Sequence, residues 1–220
     1  VDKKTILFIA TPGWPFILPP LVIGLALLFF GWYATSAILI LLGLYIAFFF
    51  RDPMRVPPQG DDIAVSPADG RVLYVDEVDH AAFPGGRARR IGIMLTIFNV
   101  HVNRAPLAGT VQSIEYKPGK FHNALFDKSS ELNEHNRIGL ASRHGYIEVR
   151  QIAGAIARRI VCYVRQGETV ERAGRIGMIR FGSRTEVYLP IGTEIWIQKG
   201  NRVWAGATAL GRVLANARQS

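Results

Sequence analysis

A single cysteine, Cys162, stands among the 220 residues. One cysteine cannot form a disulfide within the chain, and a cysteine-built metal centre is excluded with it. Its neighbours Ile160, Val161, Tyr163 and Val164 are apolar, so the thiol is expected to be buried and inert. Five histidines are spread along the chain. No pattern among them has metal-ligand spacing, and no metal site is expected. The Gly-x-Ser-x-Gly elbow of many serine hydrolases is missing. Zinc-finger, homeodomain and RNA-recognition signatures are missing too, so the net charge of +9 does not point to nucleic acid. Such a basic excess suits an anionic membrane equally well. Charged residues make up 20% and hydrophobic ones 49%, enough apolar material for a packed core, which argues against disorder.

The apolar residues are concentrated at the start. Two runs stand back to back, about Phe16 to Trp32 and about Ala34 to Phe50, with Gly31, Thr35 and Ser36 between or just after them. Each approaches the ~20 residues that a helix needs to cross a bilayer. Lys3 and Lys4 precede the pair and Arg51 and Arg55 follow it. Basic flanks on both sides place both ends in the cytoplasm, so a helical hairpin over 1–52, with its turn on the far side, is expected. Pro12, Pro15, Pro19 and Pro20 are expected to disrupt the first run, which keeps a shallow re-entrant hairpin open beside a spanning one. A signal peptide fits poorly, because the block is too long and no small-residue cleavage site stands out. A buried soluble helix pair is the structural alternative. Phe48, Phe49 and Phe50 before Arg51 read as an interfacial anchor.

From residue 53 to 220 the pattern changes. Arg71–Val75, Val111–Tyr116, Tyr146–Arg150 and Thr185–Leu189 are short, rich in β-branched or aromatic residues, and often alternating. Pro67-Ala68-Asp69-Gly70, Pro84-Gly85-Gly86 and Pro118-Gly119 separate such segments, and Gly70, Gly109 and Gly145 each stand at a strand start. Mainly β architecture follows, a β-sandwich or hybrid barrel. The glycine punctuation near Gly167 and Gly174 resembles lipoyl-type hybrid barrels, an analogy of fold alone. Only a short helix near Asn123 to Lys128 is expected here. Ile91 to Val100 reads as one apolar strand ending at His101. His80 and His144 read as exposed loop residues. Asn133-Glu134-His135-Asn136-Arg137 reads as a polar loop, either facing a substrate or merely solvated.

Four segments in order resemble phosphatidylserine decarboxylases: Phe49-Phe50-Arg51-Asp52-Pro53 leading into Ser66-Pro67-Ala68-Asp69-Gly70-Arg71-Val72; Phe98-Asn99-Val100-His101-Val102-Asn103-Arg104-Ala105-Pro106; Tyr116-Lys117-Pro118-Gly119-Lys120-Phe121; and Phe181-Gly182-Ser183-Arg184-Thr185-Glu186-Val187. Each motif is weak alone; their ordered combination is specific. The length and the Gly-Ser-Arg triplet resemble the short, archaeal-type form. The longer form typically has Gly-Ser-Thr and a second histidine where this chain has Arg104, which leaves His101 open to either self-cleavage or proton return.

The resemblance implies a proenzyme cut at Gly182–Ser183 into a large chain, 1–182, and a small one, 183–220, held together as a heterodimer. Decarboxylating an α-amino acid leaves a carbanion that no ordinary side chain delocalises, so an electron sink is required. A pyruvoyl group made from Ser183 would supply it through a Schiff base, without pyridoxal phosphate. Ser183 Oγ would attack the Gly182 carbonyl, and glycine leaves that approach open. The resemblance makes Asp69 the relay carboxylate and His101 the imidazole that serves cleavage or returns a proton. Read alone, Asp-Gly is an ordinary turn and His101 a structural histidine. Arg104, Lys120 and Lys128 are candidates for holding a lipid phosphate, with His122 in reserve. The expected substrate is the membrane phospholipid phosphatidylserine and the product phosphatidylethanolamine, at the cytoplasmic face of the cell membrane, with a higher homo-oligomer left open. Three rival readings remain: a pyruvoyl decarboxylase of a soluble amino acid, a membrane serine hydrolase using Ser183, His101 and Asp69, and a non-enzymatic lipid-binding β domain.

Overall fold

The computed structural model describes residues 5–6, 8–119, 133–154, 159–180 and 183–214. The chain divides into two units, Val1–Met54 and Arg55–Ser220.

The first unit opens with the short strands β1 (Thr5–Ile6) and β2 (Ile9–Ala10), followed by helices α1 (Trp14–Phe29) and α2 (Tyr33–Phe49). The apolar runs thus become a helix pair. Pro12 and Pro15 cost little because N–H groups at a helix start have no partner to lose. Pro19 and Pro20 lie inside α1, and contrary to expectation the helix continues through them to Phe29. Packing against α2 explains its persistence. A β carbon on Gly43 would lie 2.5 Å from Leu21 Cδ2, one on Gly24 would lie 2.9 Å from Ile40 Cγ1, and Ser36 Oγ donates to the Gly24 carbonyl at 2.7 Å. Small residues at the crossing and an interhelical hydroxyl bond are the devices by which helices associate in lipid. Away from that seam the surface is apolar and open, with Phe29 87% and Leu41 66% exposed. The stretch Thr11–Phe29 is long and apolar enough to cross a membrane, and α2 is shorter. The aromatic triplet divides, in contrast to the expected anchor. Phe49 and Phe50 are buried and only Phe48 is exposed, with the Arg51 guanidinium 3.9 Å over its ring.

Among its described residues the second unit is mainly β, with one 3-10 turn at Pro84–Gly86. Its strands are β3 (Ile63–Val65), β4 (Gly70–Asp79), β5 (Arg87–Leu95), β6 (Val102–Arg104), β7 (Gly109–Lys117), β8 (His135–Ser142), β9 (Gly145–Ala153), β10 (Arg159–Cys162), β11 (Thr169–Val170), β12 (Arg175–Arg180), β13 (Ser183–Leu189), β14 (Glu194–Ile195), β15 (Arg202–Val203) and β16 (Ala209–Arg212). An eight-stranded half-barrel sheet runs β11-β7-β8-β9-β13-β5-β4-β15, with two three-stranded sheets, β10-β12-β6 and β14-β16-β3. The mainly β expectation is met, and Gly70, Gly109 and Gly145 do begin strands. At Gly70 the reason is contact: a β carbon there would collide with the Met94 carbonyl. Alternation sends Val72, Ile91, Ile93, Leu95, Ile138, Leu140, Ile147, Val149, Val187 and Leu189 to one core. Burying such side chains is the main stabilising term.

Four local expectations are corrected. The Ile91–Val100 run is not one strand: β5 ends at Leu95, because Asn99 Oδ1 accepts from Thr96 N and Thr96 Oγ1, both at 2.8 Å, and turns the chain. Cys162 is exposed, since it closes β10 at the edge of a small sheet. The Asn133–Arg137 stretch is not a loop; His135 begins β8. His80 is buried, with its ring 4.9 Å from those of both Phe83 and Tyr188. His144 does lie in a turn, half-buried. Asn123 to Lys128 lies outside the described residues.

Candidate active site

Strand β13 begins at the residue that the sequence motifs single out. Its first residue, Ser183, is in register with Leu95 on β5 and with Ala153 on β9. Gly182, Lys120, His122 and Lys128 lie outside the described residues. Two residues along β13, Thr185 is fully buried. Its Oγ1 accepts from Asn103 Nδ2 at 3.1 Å, and the same amide reaches the Pro67 carbonyl at 3.3 Å. Asn103 Oδ1 accepts from Gln151 Nε2 at 2.9 Å, and Gln151 Oε1 from Asn136 Nδ2 at 3.0 Å. A polar ladder, Asn136–Gln151–Asn103–Thr185, therefore runs through the core at the end where Ser183 stands. Gly177 makes room for it: a β carbon there would lie 2.6 Å from Gln151 Nε2. Reading the sequence missed Thr185, Gln151 and Asn136, and gave Asn103 no role. Their signal was weak, uncharged polar residues at inward positions of otherwise apolar strands.

His101 precedes β6 and is fully buried. Its carbonyl accepts from Ile179 N at 3.2 Å, and Val102 pairs with Met178. Since β6 runs antiparallel to β12, passing from Asn103 back to His101 leads toward the end of β12, and so toward residue 183. His101 Nδ1 bonds the Asn99 carbonyl at 2.9 Å. A carbonyl only accepts, so Nδ1 carries a proton, and in the neutral ring Nε2 has the lone pair of a base. In a Ser–His–Asp triad Nδ1 would instead donate to the carboxylate.

Asp69 is buried beside Gly70. Its Oδ2 accepts from Arg55 Nη2 at 2.8 Å and its Oδ1 from Ala205 N at 2.7 Å. Both oxygens are thus engaged by charged or backbone donors that fix the turn. Arg71 pairs with Met94, which places the Asp69-Gly70 turn beside Leu95, across which Ser183 lies. Neighbouring strands are about 5 Å apart, so the turn and Ser183 are roughly two strand spacings from each other. Arg104 is buried, with Nη1 donating to the Ala173 carbonyl at 3.0 Å; it does not line an open mouth.

The outer side of β13 is ionic. Glu186 is fully buried and accepts from the Tyr74 and Tyr188 hydroxyls at 2.5 and 2.6 Å, with Arg184 Nε 3.3 Å away. Burial alone would raise its pKa, but Arg184 and the two hydroxyls hold it below the usual carboxylate range. Arg184 follows Ser183 directly, so this cluster ties the start of β13 to β4. On β8, His135 donates from Nδ1 to the Asn133 carbonyl at 2.8 Å. Burial lowers its pKa, which keeps it neutral near pH 7. Among the described residues no cluster of His, Cys, Asp and Glu could hold a metal ion.

The profile of a family described as phosphatidylserine decarboxylase matches residues 42–211. The chain belongs to the phosphatidylserine decarboxylase family. Among proteins named phosphatidylserine decarboxylase proenzyme, that of Symbiobacterium thermophilum is 46% identical over 206 residues, covering 93% of this chain and 95% of the relative. That of Azorhizobium caulinodans is 44% identical, covering 94% and 90%. That of Syntrophus aciditrophicus is 45% identical, covering 93% and 97%. These matches span the helix pair as well as the β unit of the phosphatidylserine decarboxylase chain.

Proposed function

We propose that the protein is made as a proenzyme, cuts its own Gly182–Ser183 bond, and then decarboxylates phosphatidylserine to phosphatidylethanolamine. Family membership over most of the chain carries this reading. In the cut, Ser183 Oγ attacks the Gly182 carbonyl and an ester replaces the amide. Elimination breaks the Ser183 Cβ–O bond and frees the large chain with a carboxylate at Gly182. Water then hydrolyses the remaining enamine at position 183, releasing ammonia and leaving a ketone.

A ladder on the strands beside the start of β13 supports this reading: the amides of Asn103 and Gln151 and the Thr185 hydroxyl are held by one another. A pyruvoyl group at position 183 supplies the electron sink for the carbanion left when carbon dioxide departs. His101, with its basic Nε2, is the group assigned to proton transfer at the substrate α carbon. Asp69 holds the turn beside Leu95 and is assigned to maturation. The Nδ1 bond of His101 to the Asn99 carbonyl favours this division over a serine-hydrolase triad. The Gly182-Ser183-Arg184 triplet supports the short, archaeal-type form. The open apolar surface of the helix pair supports membrane attachment, and its basic flanks support the cytoplasmic face. After the cut, residues 1–182 and 183–220 stay together as a heterodimer, because β13 lies between β9 and β5 of the large chain.

The test is intact-mass analysis of purified full-length protein together with conversion of phosphatidylserine in mixed micelles. Two chains meeting at 182/183, a small chain with a blocked N-terminus, and phosphatidylethanolamine as product are expected. A single uncut chain that nonetheless turned over the lipid would refute the mechanism.

A further inference from the structure

Of the residues expected to hold the lipid phosphate, Arg104 is buried with Nη1 donating to the Ala173 carbonyl, and Lys120 and Lys128 lie outside the described residues. Only the serine β carbon and the ester oxygen separate the phosphorus from the α carbon that reacts, so the phosphate must bind close to residue 183. A cavity of about 590 Å³ opens at the end of β5, the end at which Leu95 pairs with Ser183. Two of its walls, Met94 and Thr96, flank Leu95, the residue in register with Ser183. Two others, Arg71 and Arg202, are Cα partners across β4 and β15. Both are exposed, and among the described residues no carboxylate pairs with either. Like charges directly opposed on neighbouring strands repel, and an anion seated between them removes that repulsion while gaining charge-assisted hydrogen bonds. Phe98 and Trp204, 64% and 50% exposed, line the same cavity. Their combination of apolar rings with cationic neighbours suits the boundary between headgroup and acyl chain.

Resting on the decarboxylase reading, we propose that Arg71 and Arg202 bind the phosphodiester of the substrate lipid, with Phe98 and Trp204 against the start of its acyl chains. The arginines bind substrate and take no part in making the residue-183 ketone. A bystander anionic lipid carries the same phosphodiester chemistry, so the test must separate the two sources.

Full-length wild type, Arg71→Gln/Arg202→Gln and Arg71→Lys/Arg202→Lys are compared after intact mass has shown each to be cut. Phosphatidylserine in neutral mixed micelles, water-soluble glycerophosphoserine and a phosphate-free serine alkyl ester serve as substrates. The glutamine pair is expected to raise KM for both phosphodiesters roughly ten- to a hundredfold, as losing one or two charge-assisted bonds would, with kcat little changed. Turnover of the phosphate-free ester should match wild type, and the lysine pair should recover part of the affinity. Phe98→Ala/Trp204→Ala should weaken the diacyl substrate and leave glycerophosphoserine unaffected. An unchanged KM for glycerophosphoserine in the glutamine pair overturns the proposal, including when its only defect appears on vesicles rich in other anionic lipids. An equal loss on the phosphate-free ester overturns it as well. A wild type that is cut but inactive on phosphatidylserine overturns the decarboxylase reading itself, a result distinct from these.

Discussion

Replacing Asn103 by leucine is the sharpest probe of the polar ladder, because the structure says which partners are left unpaired. Asn103 makes three side-chain bonds, to the Pro67 carbonyl, Thr185 Oγ1 and Gln151 Nε2. The Pro67 carbonyl keeps a donor in Arg104 N at 2.9 Å, and Gln151 Oε1 keeps Asn136. Thr185 Oγ1 and Gln151 Nε2 lose the bonds described for them, in a part of the core where both residues are fully buried. Each unsatisfied group costs about 1–3 kcal/mol, so a loss of roughly 2–6 kcal/mol is expected. Thr185→Val leaves Asn103 its Pro67 and Gln151 bonds and should cost only about 1 kcal/mol. Stability is measured by thermal or denaturant unfolding in detergent with Ser183→Ala in the background, so that both proteins are single chains. With Ser183 restored, Asn103→Leu should slow self-cleavage roughly 10²-fold, the typical effect of displacing a reacting group by an ångström, read as the appearance of the small chain with time. Wild-type stability and wild-type cleavage in Asn103→Leu would refute the ladder as a support for residue 183. Lost stability with normal cleavage would confine it to packing.

Ser183→Ala should remain one full-length chain without decarboxylase activity, seen by mass and lipid analysis, because the attacking oxygen and the future ketone are removed together. His101→Ala should still be cut but turn over about 10²–10⁴-fold more slowly; accumulation of uncut protein would assign His101 to cleavage instead. Glu148 is pulled down to about 2: burial alone would raise its pKa, but hydrogen bonds from His80 and Arg137 and their charges prevail. A carboxylate depressed on folding contributes stability that is full above its unfolded value near 4.5 and is lost as pH falls toward 2. Glu148→Gln should therefore be less stable than wild type at pH 6, and the gap should narrow as pH falls below 4.5 and close near pH 2. A gap independent of pH in melting curves would contradict the assignment.

Some of this was legible from the chain alone. The apolar runs read as helices because their length and composition leave little else, and the glycine-led strands at Gly70, Gly109 and Gly145 read true because a turn or a close strand contact needs glycine there. Errors arose where partners distant in sequence decide. Pro19 and Pro20 were expected to break α1, yet α2 supports it through Gly24 and Gly43. The sequence around His80 predicts an exposed loop, but Phe83, Tyr188 and Glu148 enclose it. The apolar neighbours of Cys162 predict a buried thiol, whereas the edge position of β10 exposes it.

The ordered motifs around Asp69, His101 and Ser183, the hydrophobic pair and the family were determined by the sequence itself, because motif order and local periodicity are properties of a linear chain. The tertiary structure decided that Leu95 and Ala153 flank Ser183, that Asn103, Gln151 and Thr185 join in one ladder, that Arg104 turns inward, and that Arg71 faces Arg202. Strand register brings together residues dozens to more than a hundred positions apart, and it is set by how all the strands share one core. No single segment carries that information.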